Sequence, residues 1–209
     1  MQEIIDREKF NFKDVKIIAA STNICPLKNI RAKNKILYGR NITHGLGTGG
    51  NPQIGDIALK TSIKKIEEVI RFKKTKQLIL VAGMGGGAGS TALAYLSKLA
   101  HEKGIKVVAI ITKPLKLEGK IRILKFRKYF KKIHNNCDKI ILLNNEKLAN
   151  FCQKLGDTSI HQVFDTATDC LANLIIQELL KKIPNYRICE FLPTKKDGIL
   201  GIDYKKIEA

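Results

Sequence analysis

Between an apolar run, Gln77 to Ala82 with its polar first residue, and a helical pattern through Leu93, Leu96 and Leu99 lies the stretch Gly83-Met84-Gly85-Gly86-Gly87-Ala88-Gly89-Ser90. Successive glycines let a backbone approach an anion closely and aim its N–H groups at it. The helix N-terminus that follows adds about half a positive charge. Seven of these eight residues are glycine or small, more than a tight turn needs, so the segment reads as a phosphate cradle. No G-x-x-x-x-G-K-[ST] pattern is present, which excludes the lysine-bearing P-loop mechanism. Gly83-x-Gly85-x-x-Ala88 fits the loose dinucleotide fingerprint, but the next apolar run ends in Thr112-Lys113, where a ribose-binding acid would be expected.

These residues need elements to hold them. Short apolar runs alternate with helical patterns, the signature of an α/β fold: a mostly parallel, Rossmann-like sheet with helices on both faces. Strands are expected at Val15 to Ala20, Lys35 to Gly39, Gln77 to Ala82, Lys106 to Thr112 and Lys139 to Leu143. A second glycine-rich loop, Gly45 to Gly50, with Asn51-Pro52 behind it, opens a helix whose Leu59, Ile63, Ile66 and Ile70 form one apolar stripe. A basic helix spans roughly Gly119 to His134, another starts near Asn145, and a long amphipathic helix runs from Thr158 to about Lys182, where Pro184 stops it. The remainder, Asn185 to Ala209, reads as irregular.

At 209 residues, 44% of them hydrophobic, the chain is one domain with enough apolar surface for a core. Its apolar runs fall far short of the ~18 to 20 residues that cross a bilayer. Met1 to Phe10 carries Glu3, Asp6 and Glu8 and no apolar core segment, so neither a secretory signal nor a transit peptide is expected, and the address reads as cytoplasmic. The five cysteines are scattered, never C-x-x-C, and read as reduced, mostly buried thiols rather than disulfides or zinc ligands. No metal ligand set is expected among the side chains. A net charge of +19 would suit nucleic acid or an anionic surface, yet 31 of the 38 basic residues are Lys and 30 residues are Ile, as an A+T-rich genome would produce. The densest basic stretch, Lys120 to Lys132, lacks interleaved stacking aromatics and puts charge all around a helix, so nucleic acid is not the expected partner.

Taken together, the motifs carry a family resemblance. Gly85-Gly86-Gly87-Ala88-Gly89-Ser90-Thr91 resembles the tubulin/FtsZ signature G-G-G-T-G-[ST]-G, and Gly45-Leu46-Gly47-Thr48-Gly49-Gly50-Asn51-Pro52 resembles the family's G-L-G-A-G-A-N-P loop. Thr112-Lys113-Pro114 with Glu118-Gly119 and Arg122 resembles T-K-P-F-x-x-E-G-x-x-R. Asn145-Glu146-Lys147-Leu148 resembles N-D-K-L, and Phe164 to Asp169 resembles F-G-A-A-N-D. The set is colinear from about Val15 to Leu180. The resemblance implies a cell-division protein of the FtsZ type that binds GTP or GDP with Mg2+. In it Gly85, Gly86, Gly87, Ala88, Gly89 and Ser90 would hold the phosphates, and Gly47, Thr48, Gly49 and Gly50 would close over the outer phosphate and metal. Glu118 and Arg122 would meet the ribose and neighbouring phosphate, Phe164 would pack on the base, and Asp169 would select guanine. Taken singly, Glu118 and Arg122 equally suit a four-apart surface pair, Asp169 a solvent-facing helix residue and Phe164 plain core.

The departures point to impairment. The family's first strand and G-G-G-G-G-N-A loop have no counterpart in residues 1–14, a lead outside the family pattern, and Ala88 and Thr91 replace a signature Thr and Gly. Gly198 to Ile207 resembles G-L-x-N-V-D-F-A-D-V, the loop that one subunit inserts into the next to activate water; Asp203 keeps the first acid while Lys206 replaces the second. The expected organisation is a lead over 1–14, a GTP-binding domain over 15–183, and an irregular tail over 184–209 that resembles a degenerate catalytic loop. The resemblance thus implies GTP binding with weak or absent hydrolysis, self-association or contact with full-length FtsZ along a filament, and a cytoplasmic place of work that includes the division site. A nucleotide-independent module that modulates FtsZ filaments, or a degraded remnant, is the alternative.

Overall fold

The computed structural model describes residues 15–154, 156, 159–196 and 199–207; the lead over 1–14 lies outside them. Two parallel strands, β1 (Ile18–Ser21) and β2 (Asn34–Leu37), pair Ile18 with Asn34 and Ser21 with Leu37 and are joined through the short helix α1 (Ile24–Asn29). After β2 come a single helical turn, α2 (Arg40–Thr43), the glycine-rich loop, and helices α3 (Pro52–Lys60) and α4 (Ile63–Ile70). A second sheet has the order β3-β4-β5-β6-β7. Its strands are β3 (Gln77–Gly83), β4 (Lys106–Lys113), β5 (Lys139–Asn144), β6 (Ile188–Lys196) and β7 (Ile199–Lys206). The first four run parallel, and β7 returns antiparallel against β6.

The side-chain period of two divides the interior strands between two cores. Val107, Ala109 and Ile111 of β4, with Ile140 and Leu142 of β5, pack into the layer of Ala58, Leu59, Ile66, Leu93, Phe126 and Ile133. That layer is built by α3, α4, α5 (Ala88–Glu102) and α6 (Lys120–His134). Val108 and Ile110, with Ile141 and Leu143, face Leu148, Val163, Ala167, Cys170 and Leu174 of α7 (Asn145–Lys154) and α8 (Ile160–Leu179). Both faces are covered, so β4 and β5 are continuous apolar runs, as expected of parallel strands. Four cysteines are buried and free; Cys25 is exposed.

Three expectations are corrected. The helix read across Leu59 to Ile70 is two helices. The Ser62 hydroxyl accepts a hydrogen bond from Gly39 N–H at 2.8 Å, and Thr61 Oγ1 donates to Ala58 O at 2.9 Å, so the backbone turns between α3 and α4. The apolar period survives because Leu59, Ile66 and Ile70 are all buried. The charge on α6 does not encircle it: Phe126, Tyr129 and Ile133 form a buried three-four stripe, and the basic residues lie outside it together with the exposed Ile121 and Leu124. Residues 188–196 and 199–206, expected to be irregular, form the β6–β7 hairpin, whose register runs from Cys189 opposite Lys206 to Lys196 opposite Ile199.

The hairpin is tied in by polar groups as well as by Cys189 and Phe191. Glu190 is 6% exposed; it accepts from Asn144 Nδ2 at 3.0 Å and is ion-paired with Lys147 of α7. Nearby, Lys139 and Glu178, each 8% exposed, form a 2.7 Å ion pair, and Lys139 Nζ also donates to Ile183 O.

Candidate functional site

The glycine turn leaves the carboxyl end of β3 and enters α5. Gly85 has φ of +98°, and a Cβ there would lie 2.9 Å from Arg122 O, so only glycine suits both the backbone angle and the approach of the α6 start. Its N–H donates to the fully buried Ser90 Oγ at 2.9 Å. The Thr91 hydroxyl also turns inward, donating to Gly87 O at 2.8 Å and Ala88 O at 3.1 Å. Gly86 is open: a Cβ there meets nothing within 4 Å. No side chain caps the N-terminus of α5, which leaves unpartnered N–H groups and the positive end of a 15-residue helix at this opening.

The second glycine loop is docked on the first. A Cβ on Gly87 would lie 2.4 Å from Thr48 Oγ1 and 2.5 Å from Asn51 O. Gly47 N–H donates to Thr22 O at 3.1 Å, and Asn51 caps α3 by accepting from Gln53 N–H at 2.9 Å ahead of Pro52 at the first helical turn. Gly49 and Gly50, at φ of +56° and +74°, face open space. Lys125 Nζ from α6 donates to Gly50 O at 2.6 Å and steadies the loop.

At the end of β4, Glu118 closes the single turn 116–118. One carboxylate oxygen accepts from Leu115 N–H at 2.9 Å and the other is ion-paired with Arg122 one helical turn on. The sequence-predicted pair is thus in contact, next to Gly85. Lys116 N–H reaches across to Glu146 of α7 at 2.9 Å. At the end of β5 stands Asn145, 5% exposed, whose Oδ1 has no hydrogen-bond partner among the described residues. A buried acceptor without a donor is costly, and sequence reasoning gave this residue no role beyond its place in the motif. No sequence signal could reveal the orphaned oxygen; only the packing does.

The structure brings Gly47, Thr48, Gly49, Gly50, Gly85 to Ser90, Glu118 and Arg122 to one edge of the sheet. Phe164, 40% exposed, and the half-buried Asp169 stand on α8, which covers the other face. Asp203 is on β7, in register with Leu192, rather than in a loop. Counting strand spacings of ~4.8 Å, it lies roughly 19 Å across the sheet from Gly83. Among the described residues no group of three or more His, Cys, Asp or Glu could hold a metal ion.

These features define a class, an α/β domain with a crevice formed by one uncapped helix N-terminus and open glycines at the carboxyl ends of a parallel sheet, where such folds take ligands. Residues 2–153 match the model of the Tubulin/FtsZ family, GTPase domain, and the chain belongs to that family. It is 34% identical over 188 residues to cell division protein FtsZ 1 of Thermococcus kodakarensis, covering 88% of this chain and 49% of the relative. It is 33% identical over 176 residues to FtsZ of Pseudomonas aeruginosa, covering 83% and 44%. The FtsZ dimer of M. jannaschii superposes with a TM-score of 0.73 at 27% identity, over 83% of this chain and 54% of that one. The GDP-bound CetZ1 monomer of Haloferax volcanii, 20% identical with a TM-score of 0.66 over 75% and 48%, shares the fold. The chain spans about half the length of the curated relatives it matches.

Proposed function

We propose that this domain is an FtsZ-like, cell-division guanine-nucleotide binder that holds its ligand weakly and hydrolyses it slowly or not at all. The observation that carries the reading is the crevice itself. The uncapped α5 N-terminus and the open Gly86, Gly49 and Gly50 suit phosphates, and the orphaned Asn145 Oδ1 lacks only a donor such as a base or ribose provides. Asp169 accepts from the guanine N1–H and exocyclic amine, Phe164 packs on the base, and Glu118 and Arg122 exchange their mutual pair for ribose and phosphate. Mg2+ enters with the phosphates and balances their charge.

Weakness follows from where the hydroxyls point. The Ser90 hydroxyl is engaged by Gly85 N–H and the Thr91 hydroxyl by α5, and Ala88 has none, so within the glycine turn backbone N–H groups alone meet the phosphates. Slow hydrolysis follows from Lys206 standing where the resemblance has its second acid, since an ammonium has no lone pair with which to activate water, so activation rests on Asp203 of a second molecule alone. Leu46, Leu117, Ile121 and Leu124, 60 to 80% exposed near the crevice mouth, give that second molecule, another copy or a full-length relative, an apolar seat. Among the described residues no helix is long and apolar enough to cross a membrane, and cytoplasmic work at the division site belongs to the same proposal.

Equilibrium binding of fluorescent GTP with magnesium, with ATP as competitor and Asp169→Ala as control, tests it together with phosphate release. Selective binding lost in the variant, with turnover far below that of a complete relative, is expected; turnover equal to a complete relative refutes it. One observation favours a second reading. The Glu118 carboxylate is already satisfied within the chain, as suits a module that modulates filaments without nucleotide. Copelleting with a complete FtsZ that is unchanged by Asp169→Ala and Glu118→Ala would select that reading.

A further inference from the structure

Beside the glycine crevice, between the Gly49-Gly50 loop and α6, lies an open groove of about 520 Å3. One wall is α6, where Lys125, Lys128 and Lys132 stand three and four residues apart and so share one face of the helix over about 10 Å. The other wall is the loop and the first turns of α3, which contribute Pro52 and Asp56. Tyr129 lines the groove from α6; its ring is buried, and Lys132 Nζ sits 4.9 Å from the ring centroid. Burial, and then the charge of Asp56, push the Tyr129 hydroxyl above its ordinary value, so the carboxylate from α3 acts across the groove on α6. Lys125 spends one of its three N–H donors on Gly50 O. Among the described residues Lys98, Lys103, Lys139 and Lys147 are ion-paired, whereas the three lysines of the groove and Asp56 are not. The groove therefore holds unanswered charge of both signs, three positive groups to one negative.

We propose that this groove binds an extended acidic segment of another protein, with a glutamate or aspartate at every second residue. Such a segment projects its acids from one side at intervals of about 7 Å. Flexible lysine stems reach those intervals from positions roughly 4.5 and 6 Å apart along the α6 axis. Asp56 decides between acidic chemistries. A phosphodiester backbone brings acceptors alone and sets an unmatched charge against Asp56, whereas a peptide carries N–H donors between its acids, and Asp56 accepts one of them. The use of lysine in all three positions points the same way, since the planar fork of arginine is the group that pairs bidentately with phosphate. Lys125 keeps its bond to Gly50 O while a carboxylate takes a remaining donor, so the bound segment stiffens the loop. The inference goes beyond nucleotide binding and stands without it.

The experiment uses the full chain without nucleotide and a fluorescent, terminally blocked Glu-Val-Glu-Val-Glu peptide, with Gln-Val-Gln-Val-Gln as control. Anisotropy reads binding, and hydrogen exchange locates it. The expected result is saturable one-to-one binding by the acidic peptide alone. At saturation the Asn51 and Gly55 amides, which donate to Thr48 O and Asn51 O, should exchange roughly threefold more slowly or better. Lys128→Glu combined with Lys132→Glu should weaken binding roughly two- to thirtyfold, the range of two surface ion pairs. The matched pair Lys73→Glu and Lys74→Glu, exposed ahead of β3 at the other end of the sheet, should change it by about twofold at most. Asp56→Asn should weaken binding about two- to fivefold, as a charge-assisted hydrogen bond becomes a neutral one. Equal loss in the Lys73 and Lys74 variant overturns the assignment, because any basic surface would then serve. Binding that leaves the Asn51 and Gly55 amides unchanged overturns it too. So does an oligonucleotide that displaces the peptide and binds Asp56→Asn more tightly than the parent, which makes the groove a nucleic-acid site. GTP affinity measured separately keeps the two proposals distinct: a chain that binds the peptide and not GTP retains this one and loses the other, and the reverse result does the opposite.

Discussion

Replacing Gly86 and Gly87 one at a time by alanine separates what the turn does for the fold from what it does for a ligand. At Gly86 a methyl group meets no atom within 4 Å and the backbone is outside the left-handed region. The substitution therefore chiefly narrows the unfolded ensemble, stabilising by about 0.4–1 kcal/mol. For a chain of this size that raises the melting temperature by about 1–4 °C. At Gly87 the methyl group would lie 2.4 Å from Thr48 Oγ1 and 2.5 Å from Asn51 O. One of those contacts is backbone, so the two loops must separate. Overpacking of this kind costs about 1–3 kcal/mol, and the same unfolded-state gain offsets only part of it. The net is a loss of roughly 0.5–2.5 kcal/mol and a melting point lower by about 1–10 °C. Both variants should bind fluorescent GTP more weakly. The Gly86 methyl occupies the cradle, and losing one charge-assisted N–H bond of about 1.5–3 kcal/mol weakens affinity about ten- to hundredfold. Calorimetry and anisotropy on the same samples read both quantities. A Gly86→Ala protein that binds GTP like the parent would refute phosphate binding over this turn, and a Gly87→Ala protein that melts like the parent would refute the loop docking.

Asn145→Ala should lower GTP affinity about tenfold while leaving the urea midpoint nearly unchanged, because the lost oxygen had no partner to begin with. Lys139→Met strands Glu178 in a site that is 8% exposed and should cost about 3–5 kcal/mol in urea unfolding, with Glu178→Gln added to it restoring part of the loss. Burial pushes the Cys137 and Cys170 thiols up to about 12 and Cys189 to about 11 from an ordinary 9.0. The folded state therefore holds these protons more tightly than the unfolded chain. That stability is fully present below pH 9 and is lost as the pH rises through 11 and 12, which a series of melting curves over that range will show. At pH 8 a thiol reagent should label Cys25 alone in the native protein and all five cysteines in denaturant.

Much of the architecture was legible because it depends on local pattern. The runs that became β3, β4 and β5 are long enough to read alone, and the Asn51-Pro52 cap announces α3. The β6–β7 hairpin was not legible. Pro193 and Lys195-Lys196 in one strand, and Gly201 and Lys205-Lys206 in the other, resemble turn chemistry, and only pairing with β5 and with each other overrides it. Nor could the stripe of Phe126, Tyr129 and Ile133 compete with the surrounding lysines in a one-dimensional reading. At the site, glycine spacing located both loops. The inward turn of the Ser90 and Thr91 hydroxyls, and the orphaned oxygen of Asn145, depend on neighbours brought from distant parts of the chain.

Glu190 has one more consequence, for how the chain tolerates shortening. It is the counter-charge for Lys147 and the acceptor for Asn144, so a strand after the last long helix braces the turn that presents Asn145. A gene ending at Pro184 would encode every glycine of the crevice and still deliver it slack, with an ammonium and a buried amide left facing nothing. The last strands thus act as a buttress, and trimming them should loosen the crevice before it loosens the core.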